Sequence, residues 1–462
     1  MLQEVAVSPE VIIPTETTLL YDIATLINAI YQMTLEPTKD GRIPKRITKK
    51  LRPTLKAKMR YYYDDSEMYI DMLVHILKSL KVVTFTQPPF EEAKPYLTPG
   101  PAFKTWSREN TLAQTRKLLN QWKINYNWLD VNMFSDDAYN RGIAAVYGRQ
   151  LLEYREMLLE TISGCTAGSW YAMEAILKQI WDENSGLISQ ITSRSQYYNY
   201  SHRSNNKNAR DTAEEKYKAW AQIIAPTFVN MFFSSLLELG LVEIGHEKIQ
   251  EDRQVLFSSC MFRLTELGSS VLDESQKTPK KTPQDPQKLL IVQPNYEILL
   301  MEPDLPTLYS ILPFTQVKQI NLVSTLTLSQ AALVRGIQSG IRTEEVISTL
   351  KELSLKELPQ NIVYTLQDWG KQYKQASISQ AILIELPAED VTQRLLNQAT
   401  LAKMGIRQIA PCLLAIPQKF NGSVNLPSIR TALEKEGVMA HFIVPAGTKT
   451  PSYDDPSEFG LY

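Results

Sequence analysis

Ten basic residues fall between Lys39 and Arg60 (Lys39, Arg42, Lys45, Arg46, Lys49, Lys50, Arg52, Lys56, Lys58 and Arg60) against a single acid, Asp40. The remainder of the chain is net −10, so the near-neutral total of −1 conceals a strong segregation of charge. A lysine or arginine that neutralises a phosphate releases condensed counterions, so a cluster of this kind favours nucleic acid without reading its sequence. A plain solvated helix face is the competing reading. The next helix opens on Asp64, Asp65 and Glu67 and continues to Asp71, acids that would meet phosphates unfavourably. The expected contact surface is therefore the basic segment from Arg42 to Arg60. A second cluster, SRSQYYNYSHRSNNKNAR, mixes Tyr197, Tyr198 and Tyr200 with Arg194, Arg203, Lys207 and Arg210. Aromatic faces stack on unpaired bases while neighbouring cations hold the backbone, and a simple disordered loop is the alternative.

Other chemistries lack their local signatures. Cys165, Cys260 and Cys412 form an odd set without CxxC spacing, which argues for buried, inert thiols rather than disulfides or zinc. His246-Glu247 begins a metalloprotease-like pattern, but Gln250 stands where the second histidine is needed. The run GCTAGSW, with Gly164 and Gly168, lacks the lysine of a phosphate loop, and neither GxGxxG nor GxSxG occurs. Glu238, Glu243 and Glu266 read as solvated surface rather than an acid/base pair. No cofactor or small-molecule substrate is implied, and the expectation is a chain that is not an enzyme, although a dispersed site stays open.

A length of 462 residues calls for two to four domains, and 44% hydrophobic against 21% charged residues is a globular balance. The longest apolar stretches, such as Ile223 to Val242 with its Pro226, Asn230 and Glu238, are interrupted, and none reaches the roughly 20 apolar residues of a membrane span. MLQEVAVSPEV has neither the basic start nor the apolar core of a signal peptide. These features suggest a cytoplasmic protein without a membrane partner.

The elements that must position the clusters follow from periodicity. Leu19, Leu20, Ile23, Leu26, Ile27, Ile30 and Met33 recur at helical spacing from Thr17 to Met33. Pro44 suits the first turn of a second helix whose buried side is Ile47, Leu51 and Leu55, with Pro53 breaking it. A third helix runs from Ser66 to Leu80, and KVVTFTQ with YLTPGPAFKTW supplies a hairpin. Three helices and a hairpin are the winged-helix order, expected over residues 1–110. Over 111–274, a helical bridge from Leu112 to Glu160 precedes a similar unit: a helix from Trp170 to Trp181, another from Pro226 to Leu241 ending in LELGLVEIG, then LFSSCMFRLTELG. Ser275 to Lys288, with Pro279, Pro283 and Pro286 in polar sequence, reads as a linker between semi-independent halves unless they share an apolar interface. Residues 289–400 form an α/β domain, with KLLIVQPNYEILLM as a β pair or bent strand, helices at Leu305–Leu312, Ser329–Gln338, Thr343–Leu353 and Pro359–Tyr373, and the strand QAILIEL. Residues 401–462 add strands CLLAIP and HFIVP around a helix from Pro427 to Glu436, then a tail. The predicted class is α+β, mostly helical: two winged-helix-like units followed by an α/β domain.

Five elements in order carry a family resemblance. A strand ending in Gln293-Pro294, the turn and helix with Thr327, Ser329, Ala332 and Gly336, the acidic start Thr343-Glu344-Glu345, the Leu358-Pro359 boundary and the helix bearing Trp369 resemble the region N-terminal to the motor of XPB-type superfamily 2 helicases, also found in bacterial helicase-associated proteins. The likeness covers Leu289 to Leu386, and the third element is looser because the acids follow Thr343 directly. Many of these residues also have structural roles: Thr327, Ser329 and Thr343 suit helix N-caps, Gly336 and Gly340 suit close packing or helix ends, and Pro359 starts a helix. The chain ends where a motor would begin and has no Walker A sequence, so the resemblance implies no ATP hydrolysis. It implies instead a non-catalytic DNA-binding or adaptor protein that grips duplex or fork DNA and works with a separate helicase or nuclease, in DNA repair or defence against foreign DNA. A protein-interaction scaffold without DNA binding is the alternative.

Overall fold

The spacing of apolar residues from Leu19 to Ile27 predicts a helix with one buried face, yet every side chain from Leu19 to Ala29 is buried. In the computed structural model this segment is the centre of the larger of two compact units, Met1–Thr86 with Lys94–Gln375; the smaller is Gln87–Ala93 with Ala376–Tyr462. The structure describes residues 2–15, 17–56, 66–87, 94–125, 128, 130, 149–193, 213–247, 260–273, 287–372, 381–417 and 426–441. The fold is α+β and mostly helical.

In the first unit, strand β1 (Val11–Ile13) leads into helix α1 (Thr18–Gln32), followed by α2 (Lys45–Leu51), a tight turn at Arg52–Thr54 and α3 (Ser66–Ser79). Strands β2 (Val83–Thr86) and β3 (Tyr96–Pro99) then pair as an antiparallel hairpin. The order of three helices and a hairpin is as expected. Pro53 ends α2 as anticipated, and Ile47, Leu51 and Leu55 are all buried. After the short α4 (Phe103–Trp106), two longer helices follow, α5 (Thr111–Ile124) and α6 (Arg149–Ser163).

Trp170 does not begin a helix. Trp170–Ala172 is strand β4, and helix α7 (Met173–Ser193) starts after it, followed by α8 (Ala213–Ile223) and α9 (Ala225–Met231), which runs into a π-helical turn at Phe232–Leu236. Strands β5 (Val242–His246) and β6 (Met261–Leu264) complete an antiparallel sheet of order β1-β5-β6-β4, and α10 (Glu266–Leu272) follows. The sequence reading had no place for β1 and β4, each only three residues long, whose strand character comes from their partners in the sheet. Glu238 is not surface but 3% exposed, and Glu243 pairs with Arg263 across β5 and β6 at 2.5 Å.

The α/β segment of this unit begins at β7 (Leu290–Val292) and β8 (Glu297–Leu300), a hairpin rather than a bent strand. It continues through α11 (Leu305–Ile311), β9 (Gln316–Gln319), β10 (Ser324–Thr327), α12 (Gln330–Gln338), α13 (Thr343–Leu353) and α14 (Gln360–Lys371), with sheet order β7-β8-β10-β9. Ser329 caps α12 by accepting from Ala332 N at 3.2 Å. The two threonines do otherwise: Thr327 lies within β10 and Thr343 is the first residue of α13, whose N-cap is Arg342 with Glu345 reaching back to its backbone. Gly336 is a close-packing position, since a Cβ there would come within 3.0 Å of Phe314 Cβ. The proposed linker lies almost wholly outside the described residues. The segments on either side of it share one hydrophobic core.

The smaller unit contains β11 (Ala381–Glu385), α15 (Glu389–Leu396), α16 (Ala399–Lys403), β12 (Arg407–Ala410), β13 (Leu413–Pro417) and α17 (Leu426–Lys435), with sheet order β11-β13-β12. Its core gathers Leu386, Leu395, Leu401, Leu414, Ile416 and Leu433. Residues 381–400 thus build one core with residues that follow them. The HFIVP strand and the tail lie outside the described residues.

A buried ion pair organises the middle of the larger unit. Arg155 on α6 and Asp130 are 0% and 4% exposed and meet at 2.7 Å. Arg155 also donates to the carbonyls of Trp122, Asn125 and Trp128, while Asp130 accepts from Trp122 Nε1 at 2.9 Å and from Ser235 in the π-helical turn. Removing one partner of such a pair strands a buried charge. Arg155→Met is therefore expected to lower the unfolding free energy by about 3–5 kcal/mol, measured by urea titration followed by far-UV circular dichroism.

Candidate nucleic-acid interface

Helix α2 divides its side chains by period. Ile47, Thr48 and Leu51 point to the core, while Lys45, Arg46, Lys49 and Lys50 are exposed, and Arg42 in the preceding loop is exposed beside them. Lys45 with Lys49 and Arg46 with Lys50 are spaced i, i+4, a like-charge arrangement that weakens a helix by about 0.2–0.5 kcal/mol per pair. Burial of Ile47, Leu51 and Leu55 offsets that repulsion. Among the described residues Arg42, Arg46, Lys49 and Lys50 enter no ion pair, so their charge faces water.

Two acids fix this ridge from beneath. Asp71 on α3 accepts from Ile43 N at 3.0 Å, holding the loop that enters α2. Asp22, buried within α1, accepts from Lys56 N at 2.5 Å and from the Tyr69 hydroxyl at 2.7 Å, holding the chain that leaves it. The sequence alone makes Asp71 a charge that repels phosphate, whereas its carboxylate is engaged by the backbone before α2. The signal for Asp22 was its place in the middle of an apolar helical run.

The remaining candidates separate. Arg52 is half-buried, and Lys56 is half-buried with its ammonium 4.5 Å from the centre of the Tyr21 ring, turned from the exposed ridge to an aromatic face. Lys58, Arg60, Tyr197, Tyr198, Tyr200 and Arg203 lie outside the described residues.

A second basic and aromatic surface was not anticipated. Between α13 and α14 lies a groove of about 710 Å³ bordered by Lys288, Lys351 and Lys356. Tyr364 stands in it 68% exposed. The family likeness had drawn attention to Trp369, which is packed against Tyr296 with ring centres 5.7 Å apart and belongs to the support of this helix.

Comparison with known proteins bears on the same region. Residues 290–410 match the family model described as the helicase conserved C-terminal domain. The match runs from β7 to β12, beyond the Leu386 limit of the motif resemblance. No curated protein matches the chain. The matched domain supports a helicase-associated protein with a nucleic-acid-associated role.

Among the described residues no group of three metal-ligating side chains occurs and no helix is long and apolar enough to cross a membrane. The thiols divide in a way the sequence did not show. Cys165 and Cys260 are buried, and burial pushes each from the usual 9.0 up to about 12. Cys412 is half-exposed instead, at a turn between β12 and β13 with φ of 62°. A thiol raised on folding holds its proton longer in the native state, so its contribution is full below about pH 9 and is lost as pH rises towards 12. Iodoacetamide at neutral pH is therefore expected to label Cys412 first, with Cys165 and Cys260 labelled only on unfolding, as read by peptide mass spectrometry.

Proposed function

We propose that this chain is a non-catalytic nucleic-acid-binding adaptor that grips duplex or fork DNA through α2 and works with a separate helicase or nuclease. The observation that carries the reading is the ridge of Arg42, Lys45, Arg46, Lys49 and Lys50, exposed on one short helix and the loop before it, in a chain that is net −10 outside residues 39–60. Outside residues 39–60 the chain is net −10, so contact with DNA is favoured at basic surfaces such as this ridge, which gives orientation as well as affinity. The helicase-related domain match supplies the context. Helices α1 to α3 with their hairpin, and β4 to β6 with the helices between them, are in this reading winged-helix-like modules, the first of which presents a basic second helix. A cytoplasmic role in repair or defence against foreign DNA is the setting we propose.

Binding through several phosphates makes affinity fall steeply with salt, by about tenfold to a thousandfold between low and moderate ionic strength. The quadruple variant Lys45→Glu, Arg46→Glu, Lys49→Glu, Lys50→Glu removes that surface without touching the core. Fluorescence anisotropy with a labelled duplex is expected to show binding abolished and the circular dichroism spectrum unchanged. Duplex affinity equal to that of the unmodified protein would favour the scaffold reading instead.

The adaptor reading also has the chain hydrolyse neither ATP nor GTP, because no sequence in it is recognisable as a cradle for a triphosphate and its metal. Phosphate release is expected to stay at background with or without DNA. Turnover that is DNA-dependent and survives stringent purification would contradict it.

A further inference from the structure

Helix α14 has two faces with different duties. Ile362 and Leu366 are buried, and Trp369 stacks on Tyr296, so these positions hold the helix to the sheet. Gln360, Tyr364 and Gln367, at i, i+4 and i+7, form a stripe on the opposite side and line the groove beside α13. The far wall and floor are tied together by hydrogen bonds. Leu289 N donates to Leu353 O at 2.9 Å and Leu355 N to Leu290 O at 2.8 Å, so the chain leaving α13 is tied to β7. Asn361 Nδ2 donates to Pro294 O at 2.9 Å, and Pro359 fixes the start of α14.

The groove is chemically unfinished. Ser354 is 3% exposed, lines the floor, and its hydroxyl has no hydrogen-bond partner. Lys288, Lys351 and Lys356 surround it without an ion pair, and Glu357 is the single acid of the lining. A buried hydroxyl left unpaired is costly, and three unneutralised cations around the groove call for an anion.

We propose that this groove binds single-stranded nucleic acid, with a base stacked on Tyr364, its edge read by Gln360 and Gln367, and the backbone phosphates held by Lys288, Lys351 and Lys356. A duplex keeps its base faces inside the stack and has none to offer the ring. An acidic peptide would satisfy the lysines, but its carboxylate side chains offer the Tyr364 ring no face to stack on. The groove volume of about 710 Å³ lies within the range of ligand sites. The proposal extends the nucleic-acid reading of α2 but uses none of its residues, and it gives a fork-binding protein separate places for paired and unpaired strands.

The test uses the full chain with labelled oligodeoxythymidylate, oligouridylate and a duplex. Tyr364→Ala is expected to weaken oligonucleotide binding by about tenfold, with little change in its salt dependence. The double variant Lys351→Glu, Lys356→Glu is expected to weaken it and to flatten the salt dependence. Tyr364→Trp keeps the stack, so it should retain affinity and lose indole fluorescence when the strand binds. The α2 quadruple variant should keep oligonucleotide binding while losing duplex. If instead that variant keeps its duplex affinity, the α2 reading fails and the groove is judged on the oligonucleotide results alone. Unchanged oligonucleotide affinity in both Tyr364→Ala and the lysine variant would overturn the proposal, as would quenching of the Tyr364→Trp indole by a glutamate-rich peptide but by neither oligonucleotide.

Discussion

Helix α1 is buried on every side, and the rest of the larger unit is built on the polar groups it carries inward. Asn28 donates through Nδ2 to the carbonyls of Leu312 and Thr315 at 3.0 and 2.9 Å and accepts from Val317 N at 3.2 Å. Gln32, one turn on, donates to the same Thr315 carbonyl at 2.7 Å and receives Arg335 of α12. Asp22 serves the other end of the helix through Lys56 N and Tyr69. A buried backbone group without a partner is costly, so each of these side chains specifies where a distant segment must pass. One helix therefore fixes both the chain that leaves α2 and the α/β segment, which α4 also meets where Trp106 Nε1 donates to the Tyr309 hydroxyl at 3.1 Å.

That arrangement bears on how such a protein could act. A ridge on a free-standing module would bind DNA with no consequence for the domain beyond a linker. Here the segments before and after the polar stretch 275–288 share one hydrophobic core, and Asn28 of α1 bonds to Leu312 and Thr315 after α11 and to Val317 of β9. The division of the molecule comes later, after Gln375. In the proposed reading both surfaces lie on one unit, which suits a substrate whose paired and unpaired parts must be presented together.

Local periodicity made most of the elements legible. The apolar stripes of α1, α2, α3, α12, α13 and α14 each reach across several turns, and Pro44, Pro53 and Ser329 mark ends by chemistry that acts within a few residues. What the sequence could not show is what depends on distant partners. Strands β1, β4, β9 and β12 are three or four residues long and exist because another strand lies beside them. Asp22, Thr25 and Asn28 look like the polar side of an amphipathic helix, and nothing nearby in sequence says that other elements cover that side. Of the site, the charge of α2 was plain while its supports were not, and Tyr364 looked like any other helical aromatic.

The two proposed surfaces differ in how their charge is kept available. On α2 the cations stand at i, i+4 from one another, so each neighbour favours an incoming anion and the helix persists because its other side is buried. At the α13 groove they come from three separate stretches of chain, before β7, within α13 and after it, and converge because Leu353 and Leu355 bond to the β7 strand. A charge cluster built within one short helix can be recognised from its sequence. A cluster assembled by a sheet edge is invisible until the fold brings Lys288 beside Lys351 and Lys356, which is why the second surface had to be found in three dimensions.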